Sequence, residues 1–224
     1  MDGHKSKAAH SLGEFAREMA AVVLGILIAL GLEQAVQAQH DARLVEDARA
    51  ALRVEIADDG RNYAYRLAVS PCVLMRLDEV EAVMSDLDSG RRVSSVADFA
   101  RPIGRVTPLD AWRALSASGA VSHMEPKELI RYSDYYSRTE ATESWNTMAG
   151  QDWSVIKLIV GNANRLTPAD RSQIRISAIH LRALEQIWRG SAALQFGRAQ
   201  KLGVPTPPLP DLSRAPECQP LRRG

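Results

Sequence analysis

Cysteine, aromatic residues and net charge are all scarce in this chain, and each scarcity removes a class of protein. Two cysteines in 224 residues, Cys72 and Cys218, are too few to build a disulfide scaffold, and they show no metal-ligand spacing. Lys plus Arg (28) nearly cancels Asp plus Glu (27), so no overall positive field attracts a phosphate backbone, and nucleic acid is not an expected partner. Aromatics make up 5% of the residues, and no long segment alternates apolar and polar side chains as a half-buried strand does. His4, His10, His40, His123 and His180 never recur three or four apart, so the histidine pairs of helical zinc and di-iron sites are missing. "GxSxG", "GxxxxGK" and "GxGxxG" are absent too. The sequence predicts no catalytic residue, no metal and no cofactor.

Abundant Ala, Leu, Arg and Glu favour helices, and the chain reads as all-α. Its length suits one domain, or one domain plus an anchor. The decisive stretch is "MAAVVLGILIALGLEQAVQAQ", in which Met19 to Leu32 is apolar and uncharged. Three readings compete for it: a cleaved signal peptide, a membrane anchor and a buried core helix. Val36 and Ala38 could precede a cleavage after Ala38, behind a weakly basic start of Lys5, Lys7 and Arg17. Glu14 and Glu18 spoil that start, and no Pro or Gly interrupts the helix just before the cleavage position. The anchor leads: Phe15 to Ala38 is about 24 residues, roughly 36 Å of helix, and a lipid bilayer is its expected partner.

Arg17 adjoins the apolar run on one side, whereas on the other the first charge is Glu33 and the first basic residue is Arg43. Basic residues closest to the membrane place the N-terminus in the cytoplasm and the larger C-terminal part outside, in the periplasm of a Gram-negative cell. Ala21, Gly25 and Ala29 are small residues spaced by four, which suits helix pairing, so a homodimer or a second membrane protein is a further expected partner.

The stretch "FAREMAAVVLGILIALGLEQAVQAQ", followed by "ALRVEI", resembles the start of a group of bacterial single-span membrane proteins that have no established activity. Glu18, Val22 to Leu30, Glu33, Gln34, Leu52, Glu55 and Ile56 carry the likeness, and "TPLDAWRALSASGAV" extends it to a Trp-bearing helix ending in Ser-Gly. The resemblance covers about a third of the chain. What it implies is a membrane location, with no activity to carry over.

Four segments follow: a short N-terminal piece over 1–14, the span over 15–38, a helical bundle over 39–203 and a Pro-rich tail over 204–224. Leu44, Ala48, Leu52 and Ile56 continue the span into an amphipathic stalk. Ser70 and Pro71 predict a break, with a second helix from Pro71 to Leu87 folding back as an antiparallel hairpin and Gly90 stopping it. Residues 90–106 read as a loop with at most one helical turn. Thr107, Pro108 and Asp110 predict a capped short helix to Ser118, stopped by Gly119. Pro126 opens a helix that closes at Gly161, with a bend near Gly150, and Thr167, Pro168 and Asp170 open a last one ended by Gly203. The tail, "VPTPPLPDLSRAPECQPLRRG", is extended or disordered.

Candidate site residues are few. Cys72 and Cys218 either form one bridge, closing a loop of about 145 residues in an oxidising compartment, or remain a small buried residue and a free tail thiol. Glu140 and Glu143 are a weak cation-binding pair, better read as a solvated face. Tyr132, Tyr135, Tyr136, Trp145 and Trp153 line either a ligand pocket or, equally well by spacing, a core. The leading expectation is a non-enzymatic single-pass protein presenting a helical extracytoplasmic domain for interaction. The alternative is a ligand-sensing domain of the same build that acts through a partner.

Overall fold

The computed structural model describes residues 12–102 and 107–221. Expectations for Lys5, Lys7, His4, His10 and Gly104 lie outside the described residues. Regular structure among those described is helical: α1 (Leu12–Asp88), α2 (Asp110–Ala117), α3 (Pro126–Ile156) and α4 (Pro168–Lys201), joined by short 3₁₀ turns. One isolated bridge pairs Val96 with Val160. The chain divides into two compact units, Met1–Asp47 and Ala48–Gly224, and α1 has residues in both.

In the first unit the apolar stretch of α1 is long and hydrophobic enough to cross a membrane, with a mean hydropathy of 2.1 over its best window and none of that window buried. Phe15 is 58% exposed, Leu27 60% and Leu32 64%. In water each such side chain forgoes about 1.5–3 kcal/mol of burial. Within the described chain this stretch has no covered stripe of the kind a core helix presents to its bundle.

The second unit is a three-helix bundle with α2 and the tail packed against it. Contacts along the helices fix the directions: Arg49 with Glu128 and Tyr63 with Thr139 set α1 parallel to α3, while Arg66 with Glu185 and Arg182 with Asp78 set α4 antiparallel to α1. The main core joins Val73, Leu77, Val80 and Met84 of α1 to Trp153 and Ile156 of α3 and Ile174 and Leu181 of α4. A second cluster of Tyr63, Trp188 and Ala192 lies further along the same helices.

The expected break at Ser70 and Pro71 does not occur, and there is no hairpin: α1 runs on to Asp88 with Pro71 inside it. An internal Pro removes one helical hydrogen bond and crowds the preceding turn, a cost of about 3 kcal/mol. Here Pro71 is exposed, while Tyr63, Arg66, Ser70, Val73, Leu77, Val80 and Met84 are buried at alternating spacings of three and four. The core stripe therefore passes Pro71 without losing phase. A break would remove half of that stripe from the core, which costs more than the Pro does.

Other boundaries follow their caps. Thr167 and Asp170 form the reciprocal capping box predicted for α4, and Gly203 lies just past its end at φ 80°. The box predicted for α2 does not form. α2 begins at Asp110 with Leu109 as its N-cap residue, and Thr107 is buried with its N–H donated to Glu143. Gly119 does stop this helix, at φ 77°. α3 ends at Ile156, short of Gly161, with one 3₁₀ turn over Lys157–Ile159 between, and it passes through Gly150 as continuous helix. Residues 89–102 hold no helix, as expected, but are pinned: Asn164 accepts from Val93 N–H (2.9 Å) and donates to its carbonyl (2.6 Å).

The tail is extended, with one 3₁₀ turn at Pro216–Cys218, and it is packed down. Leu212, Cys218 and Leu221 lie against the main core, and Pro207 crosses α1 at Gly60, where a Cβ would meet its ring at 3.4 Å. That is ordinary van der Waals contact, so the tail lies directly against the helix here.

Candidate functional site

α1 carries several polar residues on its buried stripe, and the bundle gathers them midway along its length. Glu55, Asp59, Arg66, Ser70 and Arg76 are all buried, and α3 and α4 add Thr139, Thr142, Ser177, Glu185 and Gln195. Buried polar groups cost free energy unless they find partners, so each pairing shows what holds the group there.

Glu55 accepts from the backbone N–H groups of Ala111 (2.8 Å) and Trp112 (3.1 Å). It caps α2 from another helix, which explains why α2 starts without a side-chain cap of its own. Trp112 in turn stacks on Tyr136 with ring centroids 4.8 Å apart and planes at 7°. Asp59 is fully buried and accepts from Tyr135 at 3.4 Å, leaving its second oxygen without a partner among the described residues. Burial, and then the negative charge of Glu55, push its carboxyl up to about 8, against the smaller pull of the Tyr135 hydrogen bond. At neutral pH Asp59 is mostly a neutral acid. Gln195 donates to Thr139 Oγ1 (2.9 Å) and to the Tyr135 carbonyl (3.1 Å), and Tyr63 donates to the same Thr139 hydroxyl (3.4 Å). Burial raises the hydroxyls of Tyr63, Tyr135 and Tyr136 above the usual tyrosine range. Tyr63 and Tyr135 act here as hydrogen-bond donors, to Thr139 and Asp59.

Next along α1, Arg66 pairs with Glu185 at 2.5 Å, both side chains below 7% exposure, with the guanidinium 5.2 Å above the Trp188 ring. Among the described residues one carboxylate oxygen and two guanidinium nitrogens of this pair have no partner. The pair is held by charge and stacking more than by a full set of hydrogen bonds.

Cys72 and Cys218 are joined in a disulfide, with Cα atoms 4.7 Å apart and 146 positions apart in sequence. Around it the tail is tied to α1: Arg76 donates to the Gln219 carbonyl (2.5 Å), Glu79 accepts from Leu221 N–H (3.0 Å), and Tyr65 bonds Glu217. The aromatic concentration resolves into core, with Tyr132, Tyr135, Tyr136 and Trp153 buried. Glu140 and Glu143 do not converge: Glu140 meets Arg113 at 3.4 Å, and Glu143 takes the Thr107 N–H at 2.8 Å. No group of three or more His, Cys, Asp or Glu is placed to hold a metal among the described residues.

Sequence reasoning missed Glu55, Asp59, Arg66 and Gln195. The signal was present: extending the Leu52 stripe by threes and fours reaches Asp59, Tyr63 and Arg66.

Two grooves run along the outer surface of α3 and α4. One, about 420 Å³, is lined by Met148, Gln151, Asp152, His180, Ala183, Leu184 and Ile187. The other, about 440 Å³, lies between the start of α3 and the end of α4 and includes Ile130, Arg131, Leu194 and Lys201. Comparison of the chain with protein-family models, curated proteins and solved structures gives no match.

Asp59 gives a pH dependence whose sign is fixed. Between the ordinary carboxyl value near 3.8 and the buried value near 8, the folded protein keeps a proton that the unfolded chain has lost. This contribution to stability is therefore complete below about pH 4 and declines as pH rises through about 8, at up to about 1.4 kcal/mol per pH unit. Urea unfolding of Asp59→Asn across pH 5 to 9 should show a flatter profile than the parent chain. Equal slopes would mean that Asp59 is ionised in the fold.

Proposed function

We propose that Phe15–Ala38 anchors this protein in a bacterial inner membrane as an uncleaved single span. The domain from Ala48 onward then serves, outside the cytoplasm, as a non-enzymatic interaction module. The observation that carries this reading is the contrast between the two units: the apolar stretch of α1 is wholly uncovered, whereas the second unit closes a core of its own. A helix whose apolar side chains are exposed on every side is suited to lipid, and Arg17 against Glu33 supports the outside placement of the domain. The tail bridge supports it too, because disulfides persist in oxidising compartments.

The non-enzymatic reading rests on the state of the polar groups. Asp59 and its tyrosines are engaged inside the bundle, and the two outer grooves are lined by other residues. A ligand-sensing domain acting through a partner is the second reading, favoured by those same grooves; small-molecule thermal-shift screening separates the two. The orientation is tested by paired C-terminal fusions. An active alkaline phosphatase with a dark cytoplasmic-type fluorescent protein is the expected result, and the reverse pattern would overturn the outside domain.

A further inference from the structure

The two outer grooves are the ends of one seam between α3 and α4. Along α4, Ala183, Ile187, Gly190, Leu194, Gly197 and Lys201 follow each other at alternating steps of four and three, the spacing at which a helix presents a continuous edge to another helix. Along α3, Ile130, Asp134, Ser137, Ala141, Ser144 and Met148 do the same. None of these positions is buried, and the large apolar ones stand well out: Ile130 is 66% exposed, Leu194 63%, Ile187 47% and Met148 42%. Between the grooves the two edges carry only Ser137, Ala141, Ser144 and Gly190, so nothing bulky on them divides the seam. From Ile130 to Met148 it runs about 27 Å, or five helical turns. An open seam of this kind is where a fourth helix lies in a four-helix bundle.

Charge selects the occupant. Arg131, Arg198 and Lys201 line one end with a single carboxylate, Asp134, which Arg198 holds at 2.6 Å and Arg138 approaches at 3.9 Å. Glu128, which also feels Arg131, is held by Arg49 at 2.6 Å. Two positive charges, on Arg131 and Lys201, are therefore left over. At the other end the titratable lining residues are Asp152 and His180, 3.8 Å apart. A second copy of this chain matches poorly in either direction. Paired in parallel, the excess cations of the two copies meet and repel. Paired antiparallel, two cations of each copy face the one Asp152 of the other, and positive charge stays unmatched at both ends.

We infer that the α3–α4 seam docks one amphipathic helix of a partner protein, about five turns long, with an apolar edge and at least two carboxylates at the end lying over Arg131 and Lys201. Ile130, Met148, Ile187 and Leu194 meet its apolar edge, and the small residues between them let its backbone come close. The inference deepens the interaction-module reading above and rests on it.

The test uses the full chain in phosphatidylcholine nanodiscs and two synthetic peptides of about 20 residues with Leu and Ala at heptad spacing. One carries Glu on the flanks of its last two turns, the other Lys at the same positions. Amide exchange at 130–134, 148–152 and 183–201 reports occupancy, and empty discs give the peptide lost to lipid. Saturable protection by the Glu peptide is expected, with the Lys peptide about 10-fold weaker, the difference that two surface ion pairs supply. In Arg131→Glu/Lys201→Glu the preference should reverse, while Leu194→Ser should weaken both peptides alike. These side chains are exposed, so the variants should melt within a few degrees of the parent. Equal affinity for the two peptides, a preference that survives the charge reversal, or protection confined to other segments would overturn the inference. Self-association of the parent chain that Leu194→Ser abolishes would also overturn it and assign the seam to a second copy. Photo-crosslinking in intact cells separates this inference from the reading beneath it. Protein crosslinks from exposed positions such as Leu209 but none from Leu194 or Ile187 would overturn the seam alone, whereas no crosslink from any exposed position of the second unit would overturn the interaction module as well.

Discussion

Glu185→Leu should destabilise the second unit by about 3–5 kcal/mol, because it leaves the Arg66 guanidinium charged and buried with no counter-ion. Arg66 is 5% exposed and Glu185 1%, so water cannot solvate the stranded charge without opening the bundle. Stacking on Trp188 at 5.2 Å recovers only part of the loss. The double replacement Arg66→Met/Glu185→Leu behaves differently. It removes both charges and their desolvation cost together, and the outcome is near neutral or stabilising by roughly 1–4 kcal/mol. Urea unfolding of the three chains measures this directly. A single variant as stable as the parent would show that Arg66 reaches solvent.

Loss of the tail bridge has an effect of the same size with a different origin. Closing a loop of 146 positions restricts the unfolded chain, which the chain-entropy model values at about 4–5 kcal/mol. For a domain of this size that corresponds to a melting point lower by roughly 10–15 °C in Cys72→Ser/Cys218→Ser. Reduction of the parent chain should match the double variant. The tail keeps its contacts through Arg76, Glu79 and Tyr65, so in the double variant it should stay docked and unfold together with the bundle. Thiol alkylation in intact cells checks the bridge itself: both cysteines should be protected until a reductant is added. Two alkylated thiols in untreated cells would contradict both the bridge and an oxidising location.

Helices were legible in the sequence wherever a local signal decided them. Thr167 with Asp170, Gly119 and Gly203 mark helix ends through contacts within a few residues, and these positions behave as their chemistry dictates. Pro71 is the instructive failure. Its local meaning is a break, but the buried residues on either side stay in register, and burial along the whole stripe outweighs one lost hydrogen bond. The start of α2 was misread for a related reason. Its cap is Glu55, more than fifty positions upstream, and no local pattern announces a donor–acceptor pair that only the fold brings together.

The polar interior was half legible. Asp59 and Arg66 fall on the extended stripe of α1, where a charged residue at a core position signals a buried partner. The identity of that partner is set by packing: Glu185 for Arg66, Tyr135 for Asp59. Cys72 and Cys218 were the only pairing the composition allowed, while their proximity depends on how a Pro-rich tail returns along α1.

Sodium carbonate extraction of membranes carrying the full chain, followed by sequencing of the retained protein's N-terminus, tests the uncleaved anchor. The intact chain should stay in the membrane pellet at alkaline pH and leave it only with detergent, with its N-terminus upstream of Phe15. Release of the intact protein by carbonate, or a mature N-terminus at Gln39, would contradict the membrane-anchored reading.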